Sequence, residues 1–435
     1  MMSFRTKFIL ILLSATLALY TVVGGWISTR AQQPANDPNA QLRIFESVLN
    51  HIQNDYVDEP NMDKVKAGAL RGLAYGLDPY STYLTPDQVK NYNESGKDNQ
   101  VGIGAELSQV ASYLYVIAPM KGSPADQAGV RAGDIIEYID NKATRDISLY
   151  DARQLLNGSA GSEVKLRVLR ANVSPLTVSV KRGAFRAPAA EARMEAGRIG
   201  VLRVNSFADG EAADVRARVQ DLLKQGAQKL VIDLRGTAGG SLQEAVAVAN
   251  LFIKDGTLAQ TIGREGKSLK TFAADPKAVL FTGSLVALID TGTAGAAEVV
   301  ASALLERNRG QVVGEKSFGA GAEQQLFTLR GGDGLLLTTI KWASGNGKPF
   351  LGEDRAHSGV SPSVEVKRPE VAEAVDPDDL TGNDDDNVAK PDQPAEKRET
   401  APQPGPARAP AEDVQMKKAL DLLRDNKPVQ TQRAA

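Results

Sequence analysis

The chain contains no cysteine and only two histidines among its 435 residues. The first absence excludes disulfides, cysteine-ligated zinc, iron–sulfur clusters and a cysteine nucleophile. The second excludes a metal centre with several histidine ligands. It leaves a Ser–His arrangement only if His51 or His357 supplies the base. Aromatic residues make up 5% of the chain. Neither sign of charge dominates: 51 Lys+Arg against 53 Asp+Glu leaves a net charge of −2. That balance lacks the basic footprint of a nucleic-acid binder. No internal repeat is present. What remains is a hydrophobic fraction of 42%, which supports packed cores, and a length that predicts two or three domains.

One long uncharged apolar run stands out, Phe8 to Ile27, behind Arg5 and Lys7. It matches the roughly 20 residues that cross a bilayer core as a helix. The basic residues hold the N-terminal side in the cytoplasm. The run is longer than a signal-peptide core, and Thr29-Arg30-Ala31 is a poor cleavage site. Residues 1–31 therefore read as an uncleaved signal anchor. The expected localisation is single-pass in the cytoplasmic membrane, with the body periplasmic.

Residues 32–40 are polar and proline-containing, a tether. Residues 41–98 read as a helical region. Leu42, Ile44, Phe45, Val48, Leu49 and Ile52 recur at helical spacing, and a second helix covers about Met62 to Tyr75. Residues 99–184 change to short strands and glycine turns with two helices, a β-rich module. From 185 to 367 strands alternate with helices, which predicts an α/β layer fold. Its strands Leu230-Val231-Ile232 and Leu285-Val286-Ala287-Leu288-Ile289 are continuous apolar runs, expected where both sheet faces are covered. Residues 368–410 are rich in Pro, Asp and Ala, the composition of a disordered linker. Residues 411–425 hold a short amphipathic helix carrying Val414, Ala419, Leu422 and Leu423, suited to docking back on the body. Residues 426–435 read as a disordered tail.

The glycine-turn module resembles a PDZ domain. The carriers are Val101–Leu107 and the run Gly122-Ser123-Pro124-Ala125, Ala128-Gly129-Val130, Gly133-Asp134-Ile135-Ile136. The resemblance implies that Gly102, Ile103 and Gly104 form a loop for the carboxylate of a peptide C-terminus, whose strand adds to a sheet edge. From about 40 to 367 the chain is similar to the carboxyl-terminal processing peptidases, the tail-specific serine proteases of peptidase family S41, which carry a Ser–Lys dyad. Four strings support this: Leu77-Asp78-Pro79-Tyr80-Ser81-Thr82-Tyr83-Leu84, Asp233-Leu234-Arg235-Gly236-Thr237-Ala238-Gly239-Gly240, Gly314-Glu315-Lys316-Ser317-Phe318-Gly319 and Gly359-Val360-Ser361-Pro362. The fold implied is an α/β core of ClpP/crotonase-like type, with an inserted β-rich PDZ domain and an N-terminal helical region.

The chemistry of that family needs a hydroxyl nucleophile, a lysine desolvated enough to act as base, and backbone donors for an oxyanion. The family's nucleophile is the middle serine of Ser-Ala-Ser-Ala-Ser-Glu. Here the string is Thr293-Ala294-Gly295-Ala296-Ala297-Glu298, which puts Gly295 in the nucleophile position. The family's lysine sits in Phe-Gly-Lys-Gly-x-x-Gln. Here the string is Phe318-Gly319-Ala320-Gly321-Ala322-Glu323-Gln324, so Ala320 takes the base position while Gln324 is retained. Gly240 and Ala296 remain as oxyanion candidates. Removal of nucleophile or base alone costs another serine protease roughly 10⁶ in kcat. The chain reads as a pseudoprotease.

Two other readings stay open. A displaced dyad drawn from Thr293, Ser302 and Lys316 would make an active endopeptidase cutting near protein C-termini. Against it, Thr293 is expected to cap the helix that begins near Gly295, and Lys316 to be a solvated strand-end charge. A structural or interaction protein with a vestigial cleft is the third reading. No cofactor or metal is expected. The expected partners are protein or peptide C-termini, an active relative or a second copy through the N-terminal helices, and the membrane through residues 8–27; no nucleic acid is expected.

Overall fold

The computed structural model describes residues 38–94, 101–145, 147–171, 173–368 and 412–425. The chain divides into two compact units, Met1–Ala69 and Leu70–Ala435.

In the first unit, α1 (Pro38–Asp55) is the longest described helix, and α2 (Met62–Tyr75) begins there and crosses the division. On α1 the apolar residues Leu42, Phe45 and Leu49 keep helical spacing, yet all are exposed. The membrane expectation is corrected here. Among the described residues no helix is long and apolar enough to cross a membrane. Even α1 carries Arg43, Glu46, His51 and Asp55, whereas a span needs about 20 predominantly apolar residues. The run Phe8 to Ile27 lies outside the described residues, as do residues 32–37 of the tether, most of the 368–410 linker and the tail, while residues 38–40 of the expected tether already belong to α1. The single-pass anchor and periplasmic placement are withdrawn.

After the end of α2 the second unit continues with β1 (Thr82–Leu84) and α3 (Pro86–Glu94). The glycine-turn module follows as β2 (Ala105–Val110), β3 (Tyr113–Pro119), α4 (Pro124–Gln127), β4 (Ile135–Ile139), β5 (Lys142–Ala143), α5 (Leu149–Leu156), β6 (Glu163–Arg170) and β7 (Val173–Lys181). Its antiparallel sheet runs β2-β3-β4-β6-β7 with β5 on β4, which leaves β2 at an edge. Leu149, Ala152 and Leu156 of α5 share one face and are buried, at the spacing an amphipathic helix turns to a core. Ser148 starts that helix by accepting the Asp151 N–H at 3.1 Å.

The remaining elements are β8 (Glu191–Glu195), β9 (Ile199–Arg203), α6 (Glu211–Lys224), β10 (Lys229–Asp233), α7 (Leu242–Ala249), β11 (Thr257–Ile262), β12 (Ser268–Ala273), β13 (Ser284–Ile289), α8 (Ala296–Glu306), β14 (Gln311–Gly314), β15 (Ala322–Thr328), β16 (Gly334–Ser344), β17 (Val364–Glu365) and α9 (Val414–Arg424). One sheet has the order β17-β14-β13-β10-β9-β8. It is parallel except for β8, which runs antiparallel to β9. The other orders β1-β16-β11-β12, with β15 on β16.

Alternation along β10 explains its uninterrupted apolar run. Leu230 and Ile232 join the large core that α6, α7 and α8 cover. Val231 points to the opposite face, against Met416, Ala419 and Leu423 of α9. Asp413 caps α9 by accepting the Met416 N–H at 3.0 Å. The Lys229 ammonium closes its other end on the Leu423 carbonyl at 2.6 Å. An α/β core, a PDZ-like module and N-terminal helices are therefore present.

Candidate active site

Two turns at the carboxyl ends of β10 and β13 build the site, where open α/β sheets place their crevices. The turn after β10 contains Gly236 to Gly240, and the turn after β13 runs from Asp290 to Gly295. Asp290 ties them: Oδ1 accepts the Gly236 N–H at 2.8 Å and the Gly292 N–H at 3.0 Å. The Ala294 N–H adds a bond to the Thr237 carbonyl at 3.0 Å.

Glu298, one turn into α8, ties the second turn to the loop after β14. Its Oε2 accepts the Gly295 N–H at 2.7 Å and the Ala320 N–H at 2.9 Å. Its Oε1 accepts the Gly319 N–H at 2.7 Å and the Ser317 hydroxyl. Ser317 Oγ in turn accepts the Val360 N–H at 2.7 Å. The positions matched to nucleophile and base thus meet at one carboxylate oxygen, and neither bears a functional side chain. Burial pushes the Glu298 carboxyl up to about 7, against the pull of Ser317 and the three backbone donors. Sequence reasoning gave Glu298 no role. The available signal was a glutamate at the third position of a helix, which by itself reads as a local cap.

Gly295 has φ +61° and ψ −113°, a conformation that a residue with Cβ adopts only under strain. The space there is open. A Cβ would meet nothing closer than the Gly239 nitrogen at 3.8 Å. Gly240 is the reverse case. Its φ is +90°, and a Cβ would collide with Phe207 Cβ at 2.6 Å. Among the described residues the N–H groups of Gly240 and Ala296 have no backbone acceptor. Gly240 lines a cavity of about 250 Å³ together with Phe207, Gly236, Ala238, Met120 and Phe185; Ala296 is buried at the start of α8.

The hydroxyl and ammonium candidates are engaged elsewhere. Thr293 is fully buried. Its Oγ1 donates to the Leu234 carbonyl at 3.0 Å and accepts the Asp290 N–H at 2.9 Å. It fastens the turn and does not cap α8, because the Glu298 carboxylate takes the Gly295 N–H. Ser302 donates to the Val299 carbonyl inside its own helix at 3.1 Å. Lys316 donates to the Ala356 carbonyl at 2.6 Å and the Arg355 carbonyl at 3.3 Å. It is pinned to a loop and is not a solvated strand-end charge. Burial, with the Arg355 and Lys348 charges, holds its ammonium below the usual lysine range. Gln324 Nε2 donates to Thr338 Oγ1 at 3.3 Å, and Thr338 donates to Asp78 Oδ1 at 3.1 Å. His357 is exposed and paired with Asp354 at 2.7 Å.

The PDZ-like module covers this site. Tyr113, Tyr115 and Ile117 of β3 cluster with Ala294, Phe318 and Ala320. The Tyr115 and Phe318 rings stack with centroids 5.5 Å apart, and the guanidinium of Arg355, from the loop after β16, lies 4.1 Å from the Phe318 centroid. Beside β2 a groove of about 350 Å³ is lined by residues 102–107, Arg153, Leu156 and Phe185. Of the three loop residues, Gly102 has spent its N–H on the Gly183 carbonyl at 3.2 Å. The N–H groups of Ile103 and Gly104 have no backbone acceptor among the described residues.

Comparison with known proteins agrees with this architecture. Residues 198–366 match the model of peptidase family S41, and residues 115–170 match a PDZ domain model. The carboxy-terminal processing protease CtpA of Bacillus subtilis is 30% identical over 368 residues, covering 84% of this chain and 78% of the relative. A CtpA-like serine protease of Staphylococcus aureus (strain MRSA252) is 32% identical over 394 residues, covering 88% of this chain and 78% of the relative. Among solved structures, a photosystem II D1 C-terminal processing protease superposes with a TM-score of 0.62 at 27% identity, covering 74% of this chain and 86% of the other.

Proposed function

We propose, for a chain that belongs to the carboxyl-terminal processing peptidases of family S41, that it is a pseudoprotease which holds protein C-termini or unfolded segments and does not cut them. One observation carries the reading. The backbone N–H groups of Gly295 and Ala320 converge on the same Glu298 oxygen, so the frame that would align nucleophile and base is kept while both side chains are missing. The hydroxyls of Thr293, Ser302 and Ser317 are all buried and hydrogen-bonded within the frame. A dyad requires its groups in near-attack geometry, which none of them can reach without breaking these bonds.

Binding would use the PDZ groove. β2 has an open edge, and the Ile103 and Gly104 N–H groups line the groove at its start. Both suit an added peptide strand that ends in a carboxylate. Labelling with an organophosphorus serine reagent tests the catalytic half of the reading. The wild type stays unmodified by intact mass; stoichiometric labelling of any hydroxyl would overturn it. We also propose that the exposed apolar face of α1, with Leu42, Phe45 and Leu49, associates with that of a second copy.

A further inference from the structure

We propose that Glu106 and Arg153 make the groove beside β2 a reader of charge order in protein C-termini. It takes an apolar last residue, a basic penultimate residue and an acidic residue before that. The inference rests on the reading above that this groove holds a carboxyl terminus. The two charged side chains come from opposite walls, Glu106 from β2 and Arg153 from α5, and both line the groove. Arg153 Nη2 donates to Glu106 Oε1 at 2.8 Å, so the ion pair bridges the path a peptide strand would take. Both groups keep contact with solvent, at 46% and 24% side-chain exposure, and each is open to exchange of partner. Glu106 Oε2 has no hydrogen-bond partner among the described residues, and it lies 3.1 Å from where a Cβ on Gly239 would be. One carboxylate oxygen therefore stands at the boundary between groove and cleft.

Strand geometry assigns each charge a position on the peptide. A peptide added antiparallel to β2 with its carboxylate on Ile103 and Gly104 sets its last residue beside Ala105. The penultimate residue then lies beside Glu106, and the one before beside Leu107. Directly opposed residues share a face and successive ones alternate. The last residue and the third from the end therefore turn toward α5, and the penultimate residue turns to the Glu106 side. Near the loop the α5 side of the groove is apolar, with Ile103, Leu107 and Leu156. Arg153 stands one turn before Leu156, about 4.5 Å back along the helix, in line with the third residue from the end. An acidic side chain there replaces Glu106 on Arg153, and a basic penultimate side chain takes the released carboxylate. The reverse order sets like charge against like.

The test uses the full chain and two fluorescent peptides of one composition, ending Asp-Lys-Leu or Lys-Asp-Leu, each also made as a C-terminal amide. Because the pairs are part-exposed, the expected preference for Asp-Lys-Leu is on the order of fivefold in Kd at low salt, shrinking as salt is added. The Glu106→Arg/Arg153→Glu double variant should invert the preference, a result that misfolding cannot imitate. Glu106→Gln alone should reduce the preference without inverting it. Equal affinity for the two acids, with both amides weaker, overturns the charge reader while the carboxylate reading stands. Failure to bind either acid, or amides that bind as well as acids, overturns both.

Discussion

Glu298 carries the frame on which the proposed pseudoprotease reading rests. Its carboxyl is fully buried, and all four of its partners are donors, so the ionised form is the one they fit. Burial nevertheless raises its pKa from 4.5 to about 7. The folded chain then holds a proton that the unfolded chain has released, so this group's contribution is complete below pH 4.5 and is lost as pH rises to about 7. The shift corresponds to about 3 kcal/mol. Denaturant midpoints across that range should show a decline in the wild type that Glu298→Gln removes. The glutamine, with an amide turned on donors, should also be less stable at acid pH by about 1–3 kcal/mol; an unchanged pH slope in the variant would contradict the assignment. At this scale the sequence was informative where a string aligned and silent where a contact was tertiary. That positions 295 and 320 hold Gly and Ala was readable directly. The reach of Glu298 across to residues 317–320 depends on how α8 and the loop after β14 fold together.

Among the elements, α9 closes the open face of the parallel sheet and reaches back toward the site. Arg235, next to the glycine turn, donates to Asp413 at 2.8 and 2.9 Å and to Asp233 at 2.8 and 2.9 Å. Burial works against both carboxylates, but Arg235 outweighs it and holds each below the usual range, with Arg203 assisting at Asp233. Their contribution is present above the ordinary pKa of 3.8 and is lost as pH falls below it. Asp413→Ala removes both the cap and the ion pair, and should cost about 1–2 kcal/mol. Leu423→Ala removes a buried side chain and should cost about 2–5 kcal/mol. Hydrogen exchange over 414–424 should accelerate in both; protection equal to wild type would mean the helix is held by something else. The apolar spacing of α6, α7, α8 and α9 made them legible. β12 and β15 were not: β12 is exposed along nearly its whole length, and the partly buried side of β15 carries Ala322, Gln324 and Leu326, which gives no apolar alternation to read. Docking, not patterning, puts them in a sheet.

At the scale of the whole molecule, the order of helices, PDZ module and α/β core was legible from motifs spread along the chain. The stacking of Tyr115 on Phe318 was not, since neither residue signals a partner about two hundred positions away. The exposed face of α1 predicts a concentration-dependent oligomer. Leu42→Glu/Phe45→Glu should shift sedimentation to the monomer, and a wild type already monomeric at high concentration would contradict the proposal. The central claim concerns the cleft. Its most direct test is hydrolysis of an unstructured protein by the purified wild type, run beside the Gly295→Ser/Ala320→Lys variant. The wild type is predicted to leave the substrate intact at all times. Cleavage that disappears on changing Thr293, Ser302 or Lys316 would contradict the account.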